Sequence, residues 1–179
     1  MANDSVVEMN IFGRVSDPEA TWNVALSASA ASASAPWSNG FDSAAFGDML
    51  AEAEKEGRAI TIEIHDDWDV FEELRNGCQA AGLSYVAYTA EGGEPGWSGG
   101  IAWRPEMADE FEFQMNGDQP KLMLSVDDVQ QAELKGLWAV RDLVTAAVSN
   151  TRIGSIEIAP GFTEAYVEHT GYAIAAPAP

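Results

Sequence analysis

The run Ile60-Thr61-Ile62-Glu63-Ile64-His65-Asp66-Asp67-Trp68-Asp69-Val70-Phe71-Glu72-Glu73-Leu74 changes its period half-way along, and that change sets the fold class. Over 59–65 the isoleucines fall on one face and Thr61, Glu63 and His65 on the other, the period of two of a half-buried strand. From Trp68 onward the apolar residues Trp68, Phe71, Leu74, Cys78 and Ala81 recur every three or four positions, the inner face of a helix that Gly82 closes. Asp66 or Asp67 caps its start, while Asp69, Glu72 and Glu73 lie outside, near the positive end of the helix dipole. Five carboxylates thus fall within the nine residues 65–73.

Toward the N-terminus, residues 6–12 read as a strand that Gly13 and Ser16-Asp17-Pro18 end. Asp17 as cap and Pro18 at the first helical position begin a helix through Trp22, Ala25 and Leu26. Residues 27–36 are Ser/Ala-rich, offer no large side chain to bury and are expected to form a flexible segment. Asp42 or Ser43 caps a helix that runs to Glu56 and stops at Gly57, with Phe46, Met49, Leu50 and Ala53 inside. Asp48, Glu52 and Glu56 stack four apart on its outer side, where like charges cost a few tenths of a kcal/mol per pair.

Toward the C-terminus, residues 83–89 read as a strand, and a Gly-rich loop over 91–100 leads to a short strand at 101–103. Residues 110–115 alternate Glu and Phe and are expected to turn at Asn116-Gly117-Asp118 and return through 121–124 as a hairpin. Ser125 with Asp128 resembles a capping box opening one long helix over 126–149, apolar on more than one stripe and therefore expected to be the central packing helix. A last strand follows at 155–159, and 173–179 is expected to be a frayed tail.

Runs of strand and helix in this order predict an α+β fold, with a mainly antiparallel sheet packed by three or four helices in a single compact domain over 1–179. The chain of 179 residues is long enough to bury a core, and 46% hydrophobic residues with six tryptophans and seven phenylalanines exclude a disordered acidic tail. The single cysteine, Cys78, excludes an internal disulfide framework or a multi-cysteine zinc site and fits a cytoplasmic protein. With no basic segment leading into an apolar one at the N-terminus, and no apolar run near about 18 residues, neither a signal peptide nor a membrane span is expected.

Candidate chemistry is sparse. Asp67-Trp68-Asp69, with His65 nearby, has the spacing of a metal-binding pair, so a metal-dependent enzyme using Asp67 and Asp69 is one alternative. Magnesium normally combines one or two carboxylates with substrate phosphates, and no Gly-Lys-Ser/Thr element is present to hold them. Gly96-Trp97-Ser98-Gly99-Gly100 matches Gly-x-Ser-x-Gly, but a nucleophile elbow needs a strand before the serine and a helix after it, and neither is read there. His169 is the sole later histidine to serve as its base. Cys78 lies on an apolar helix face with no base beside it. No catalytic residue, metal ligand or cofactor is assigned.

Charge is the dominant signal. The chain has 29 acids against 9 bases, a net charge of -20, and residues 42–128 hold 20 of the acids with only 5 bases. Such a surface repels nucleic acid and anionic membrane, so neither is expected to bind directly, and the expected partner is a basic nucleic-acid-binding protein or complex. Carboxylates four apart on a helix rise about 6 Å, close to two phosphate steps of about 3.4 Å each. The partner-binding residues expected on this basis are Asp48, Glu52, Glu56, Glu63, Asp66, Asp67, Asp69, Glu72 and Glu73, with Trp97 or Trp103 at the rim. In composition and size the chain is similar to phage or plasmid proteins that imitate DNA to block restriction or CRISPR effectors, and to acidic immunity proteins that plug nuclease toxins. That similarity implies a non-enzymatic inhibitor of a defence effector or nuclease. A salt-adapted acidic accessory domain is the remaining alternative.

Overall fold

The sheet is built around its first strand. A computed structural model, which describes residues 6–33, 42–65, 67–89, 99–114 and 126–174, sets β1 (Val6–Val15) between β2 (Ile60–His65) and β3 (Ser84–Thr89), antiparallel to both. Beyond β3 come β4 (Gly99–Trp103) and β5 (Phe111–Gln114), each antiparallel to its neighbour. A short β6 (Ile156–Ile158) runs parallel to the end of β1. It lies beside the entry to β2, where the Ile156 amide donates to the Arg58 carbonyl at 3.0 Å. Since β2 and β3 both oppose β1, they are parallel to each other, and α3 (Trp68–Ala80) links them as a split β-α-β unit with β1 in the gap.

Strand alternation divides the core into two layers. Val7, Met9, Ile11 and Val15 of β1 join Ile60, Ile62 and Ile64 of β2 on the face covered by helices, with Tyr85, Ala87 and Ile101. There α1 (Pro18–Ala33) packs on β2 and α3, α2 (Phe46–Glu56, after a tight turn at Ser43–Ala45) packs on β2 and β6, and α3 packs on β3. Phe46, Leu50, Phe71 and Leu74 are their buried anchors. On the opposite face Phe12, Ala59, Val86, Ala102 and Phe113 form a smaller cluster, flanked by Tyr88 and Phe111. Here α4 (Val126–Lys135) and α5 (Leu137–Thr151) pair with each other, and α5 meets β4; α6 (Phe162–Thr170) packs on α1. The fold is therefore α+β with a mainly antiparallel sheet in a single domain, and the helices packed on strands are α1, α2, α3 and α5. No helix among the described residues is long and apolar enough to cross a membrane.

Four expectations need correction. Residues 27–33 are not a flexible segment but the last turns of α1, with Ala28 and Ala31 fully buried; 34–36 lie outside the described residues. Small side chains suit this position because α1 and α3 approach closely: a β-carbon added at Gly77 would lie 3.5 Å from Val24 Cγ2. The stretch 126–149 is two helices rather than one, because Gly136 takes φ 110°, which closes α4 and starts α5. Nor is it central: Leu134 is 82% exposed and Leu137 88%. The tail begins later than expected, since Ile174 packs against the core and a β-carbon at Gly47 would lie 2.7 Å from it; 175–179 are outside the described residues. Helix α6 was not anticipated from the sequence, although Phe162 and Tyr166, four apart and both buried, carry its inner face. The expected return strand at 121–124 lies outside the described residues, while β5 is paired to β4.

Candidate acidic interface

Helix α3 owes its position to both ends of its own sequence. The Asp67 side chain accepts from the Val70 amide at 3.0 Å, the cap that starts the helix, and Phe71 and Leu74 are inserted into the core one turn later. Trp68 is half exposed and meets Phe71 edge-on, with ring centroids 5.7 Å apart. The remaining outward positions Asp69, Glu72 and Glu73 are all exposed.

Arg75 is the one base on α3, and it is turned away from those acids. Its guanidinium forms a two-pronged pair with Glu110, just before β5, with Nε to Oε1 at 2.9 Å and Nη2 to Oε2 as the second prong. It also stands 5.3 Å from the centre of the Phe71 ring. Glu110 Oε1 further accepts from the Tyr85 hydroxyl, and Gln79 Nε2 donates to Tyr85 Oη at 2.9 Å and to Glu110 at 3.3 Å. Burial first, and then the hydrogen bond to Glu110, push the Tyr85 hydroxyl well above its ordinary range, which keeps it protonated and donating to Glu110. The cluster locks α3 to the sheet. Among the described residues, Asp69, Glu72 and Glu73 are left with no salt bridge.

The other expected residues are dispersed. Asp48, Glu52 and Glu56 are exposed on α2, and Arg58 pairs with both Glu52 (3.4 Å) and Glu56, so this row is partly neutralised within the chain. Helices α2 and α3 do not form a packed pair; α1 lies against α3, and α2 against β2 and β6. Glu63 projects from the sheet face opposite the three helices, where it stands across from Glu8 in the register of β1 and β2. Asp66, Ser98 and Trp97 lie outside the described residues. Trp103 is half buried, stacked on Tyr85 with centroids 6.2 Å apart. The structure therefore brings Asp67, Asp69, Glu72 and Glu73 together, and separates them from the α2 row and from Glu63.

The sheet face around Glu63 holds a polar row that sequence reasoning missed. Glu8 accepts from the Tyr88 hydroxyl and from Asn10 Nδ2 (3.1 Å), and Asn10 Oδ1 accepts from Thr61 at 2.9 Å. Burial, reinforced by Glu8, raises Tyr88 to about 12. Alternation in β1 already placed Glu8 and Asn10 on one face, but their partners come from β2 and β3, and pairing order is not visible in local periodicity.

For metal chemistry, Asp67 is occupied as a helix cap, and no group of three or more metal-ligating side chains occurs among the described residues. Cys78 is fully buried and its thiol is pushed up by that burial, which disfavours the thiolate. Compared with known proteins, the chain matches no family model, no curated protein and no solved structure.

Proposed function

We propose that the protein is a non-enzymatic acidic inhibitor that imitates nucleic acid and blocks the basic groove of a nucleic-acid-binding defence effector, of the anti-restriction or anti-CRISPR kind, or of a nuclease. One observation carries the reading: the exposed ridge Asp69, Glu72 and Glu73 has no salt bridge among the described residues, because Arg75 is held by Glu110. A carboxylate ridge whose nearest base is committed elsewhere attracts an external cation at full strength. Locked to the sheet by the Arg75–Glu110 pair and the Asp67 cap, the helix that carries it loses little backbone freedom on binding. The contact thus centres on α3; Glu63 lies on the other face of the sheet, and the α2 row is partly neutralised by Arg58.

The test is capture of partners from lysates of bacteria carrying restriction and CRISPR systems, with the wild-type chain and with Asp69→Lys/Glu72→Lys/Glu73→Lys. The expected outcome is a nucleic-acid-binding complex that competitor DNA displaces, that weakens with salt, and that the triple reversal loses by about a hundredfold or more in affinity. Capture unaffected by the reversal would refute the placement on α3, and capture that DNA cannot displace would refute mimicry.

A further inference from the structure

The acidic interface leaves the opposite kind of surface unexplained. Helix α5 turns a half-buried stripe, Val140 and Leu143 with the buried Ala147, toward the body of the protein. A second stripe, Leu137, Arg141, Val144 and Val148, faces solvent; Leu137 is 88% exposed and Val148 57%. Leu134 and Trp138 extend the apolar surface around the Gly136 corner. Exposed apolar surface gathered in this way marks a contact site more often than chance scatter does.

Charge identifies the occupant. Residues 126–153 carry four acids and three bases, a net charge of -1, which leaves -19 on the rest of the chain. Two copies of a protein at -20 repel each other over nearly all of their surfaces, and this arm is where they can approach. A basic partner, by contrast, finds its weakest attraction there. The exposed stripe steps by four, three and four residues, the spacing of a coiled-coil seam, with Leu137 and Val144 at one type of seam position and Arg141 and Val148 at the other. A single charged residue within such a seam selects register and partner number at some expense of stability. Arg141 is exposed and makes no ion pair among the described residues.

We propose that the outer stripe of α5 is a self-association surface, on which a second copy of this chain packs α5 against α5 about a two-fold axis. Leu137 of one copy then meets Val148 of the other, and the acidic ridges of α3 remain outside the contact.

Sedimentation equilibrium of the full chain at about 0.1 M and about 1 M sodium chloride tests this, since the screening length falls from about 10 to about 3 Å between them. The expected result is a species of twice the 19.1 kDa chain mass that strengthens with salt, the reverse of the salt dependence expected for a basic partner. Leu137→Asp/Val144→Asp should raise the dimer dissociation constant by about a hundredfold or more, with an unchanged far-ultraviolet spectrum. Leu137→Ser/Val144→Ser, which adds no charge, should do so by about tenfold or more and keeps the test valid if the aspartates disturb folding. A monomer at both salt concentrations overturns the proposal; so does a dimer that survives both pairs of substitutions or weakens with salt. Because the α3 ridge is untouched by these variants, capture of a basic partner can succeed or fail independently.

Discussion

Helices α3 and α5 are of similar length, 13 and 15 residues, and each lays one apolar stripe against the body, yet they present opposite chemistry to solvent. Helix α3 is anchored by the large buried side chains Phe71 and Leu74 and turns carboxylates outward. Helix α5 is anchored by small contacts around Ala147 and turns Leu137, Val144 and Val148 outward. A polar tie to the body comes from another element: Arg104 donates to the Ser149 carbonyl at 2.8 Å and to that of Arg152, while lying 5.0 Å from the centre of the Phe12 ring. An arginine at the end of α5 satisfies carbonyls that have no partner within the helix and favours the negative end of its dipole. The contrast teaches that outward chemistry follows from where the scarce bases are spent. Arg75 is spent on Glu110, which leaves α3 acidic; Arg104 is spent on backbone, which holds in place a near-neutral apolar arm.

The comparison is most easily broken by truncating the anchor Phe71 of α3 and the outward Leu137 of α5. Phe71→Ala removes a ring that is 1% exposed and should destabilise the protein by about 3–5 kcal/mol in urea unfolding. Leu137→Ala, measured at high dilution, should change stability by no more than about 0.5 kcal/mol. A loss near 2 kcal/mol at Leu137 would mean that its side chain is covered within a single chain, and the contrast between the helices would collapse.

Next in size is the lock on α3. Glu110→Ala strands the part-buried Arg75 and removes the acceptor of the Tyr85 hydroxyl, an expected loss of about 1–3 kcal/mol in the same assay. It also releases Arg75 toward Glu72, three residues earlier on α3, so affinity for a basic partner should fall although no residue of the ridge has changed. Unchanged affinity would show that the orientation of Arg75 does not govern the ridge.

Tyrosine ionisation probes the body alone, because the α4–α5 arm carries no tyrosine. Tyr88 is raised to about 12 from 10 in the folded state, so below pH 10 its contribution to stability is complete. Between about 10 and 12 the unfolded chain ionises first and stability declines, by about 1 kcal/mol once partial exposure is allowed for. Tyr88→Phe should reduce this slope in urea midpoints taken across that range, and an unaltered slope would place the titration on other groups. An effect of similar size is expected at the helix cap, where Asp67→Ala should cost about 1 kcal/mol. Asp67→Asn keeps a side-chain acceptor and should cost less; equal losses in the two variants would assign the effect to charge at the helix start rather than to the hydrogen bond.

The body was far more legible in the sequence than the arm, for reasons visible in single elements. Alternation across Ile60, Ile62 and Ile64 fixed β2, and the three-and-four spacing of Phe71, Leu74 and Cys78 fixed the inner face of α3, because side chains this large leave a local signature of burial. The C-terminal part of α1 misled for the converse reason: Ala28 and Ala31 are buried without being large, and only close packing against α3 reveals why small residues belong there. In 126–149 the excess of apolar residues was evident, but periodicity cannot tell a stripe facing a core from one facing solvent.

What the sequence determined by itself is the local and the additive: the strand and helix periods, helix starts capped at Asp42 or Ser43 and at Asp66 or Asp67, the α+β class and the net charge of -20. What only the tertiary structure decided is how that charge is distributed in space. The placement of β1 between β2 and β3 orients α3 and puts Arg75 in reach of Glu110, 35 residues away; the same sheet sends Glu63 to the face opposite α3. A pairing across that separation depends on strand order and register, which local propensity does not encode, whereas a residue's charge is the same in any fold.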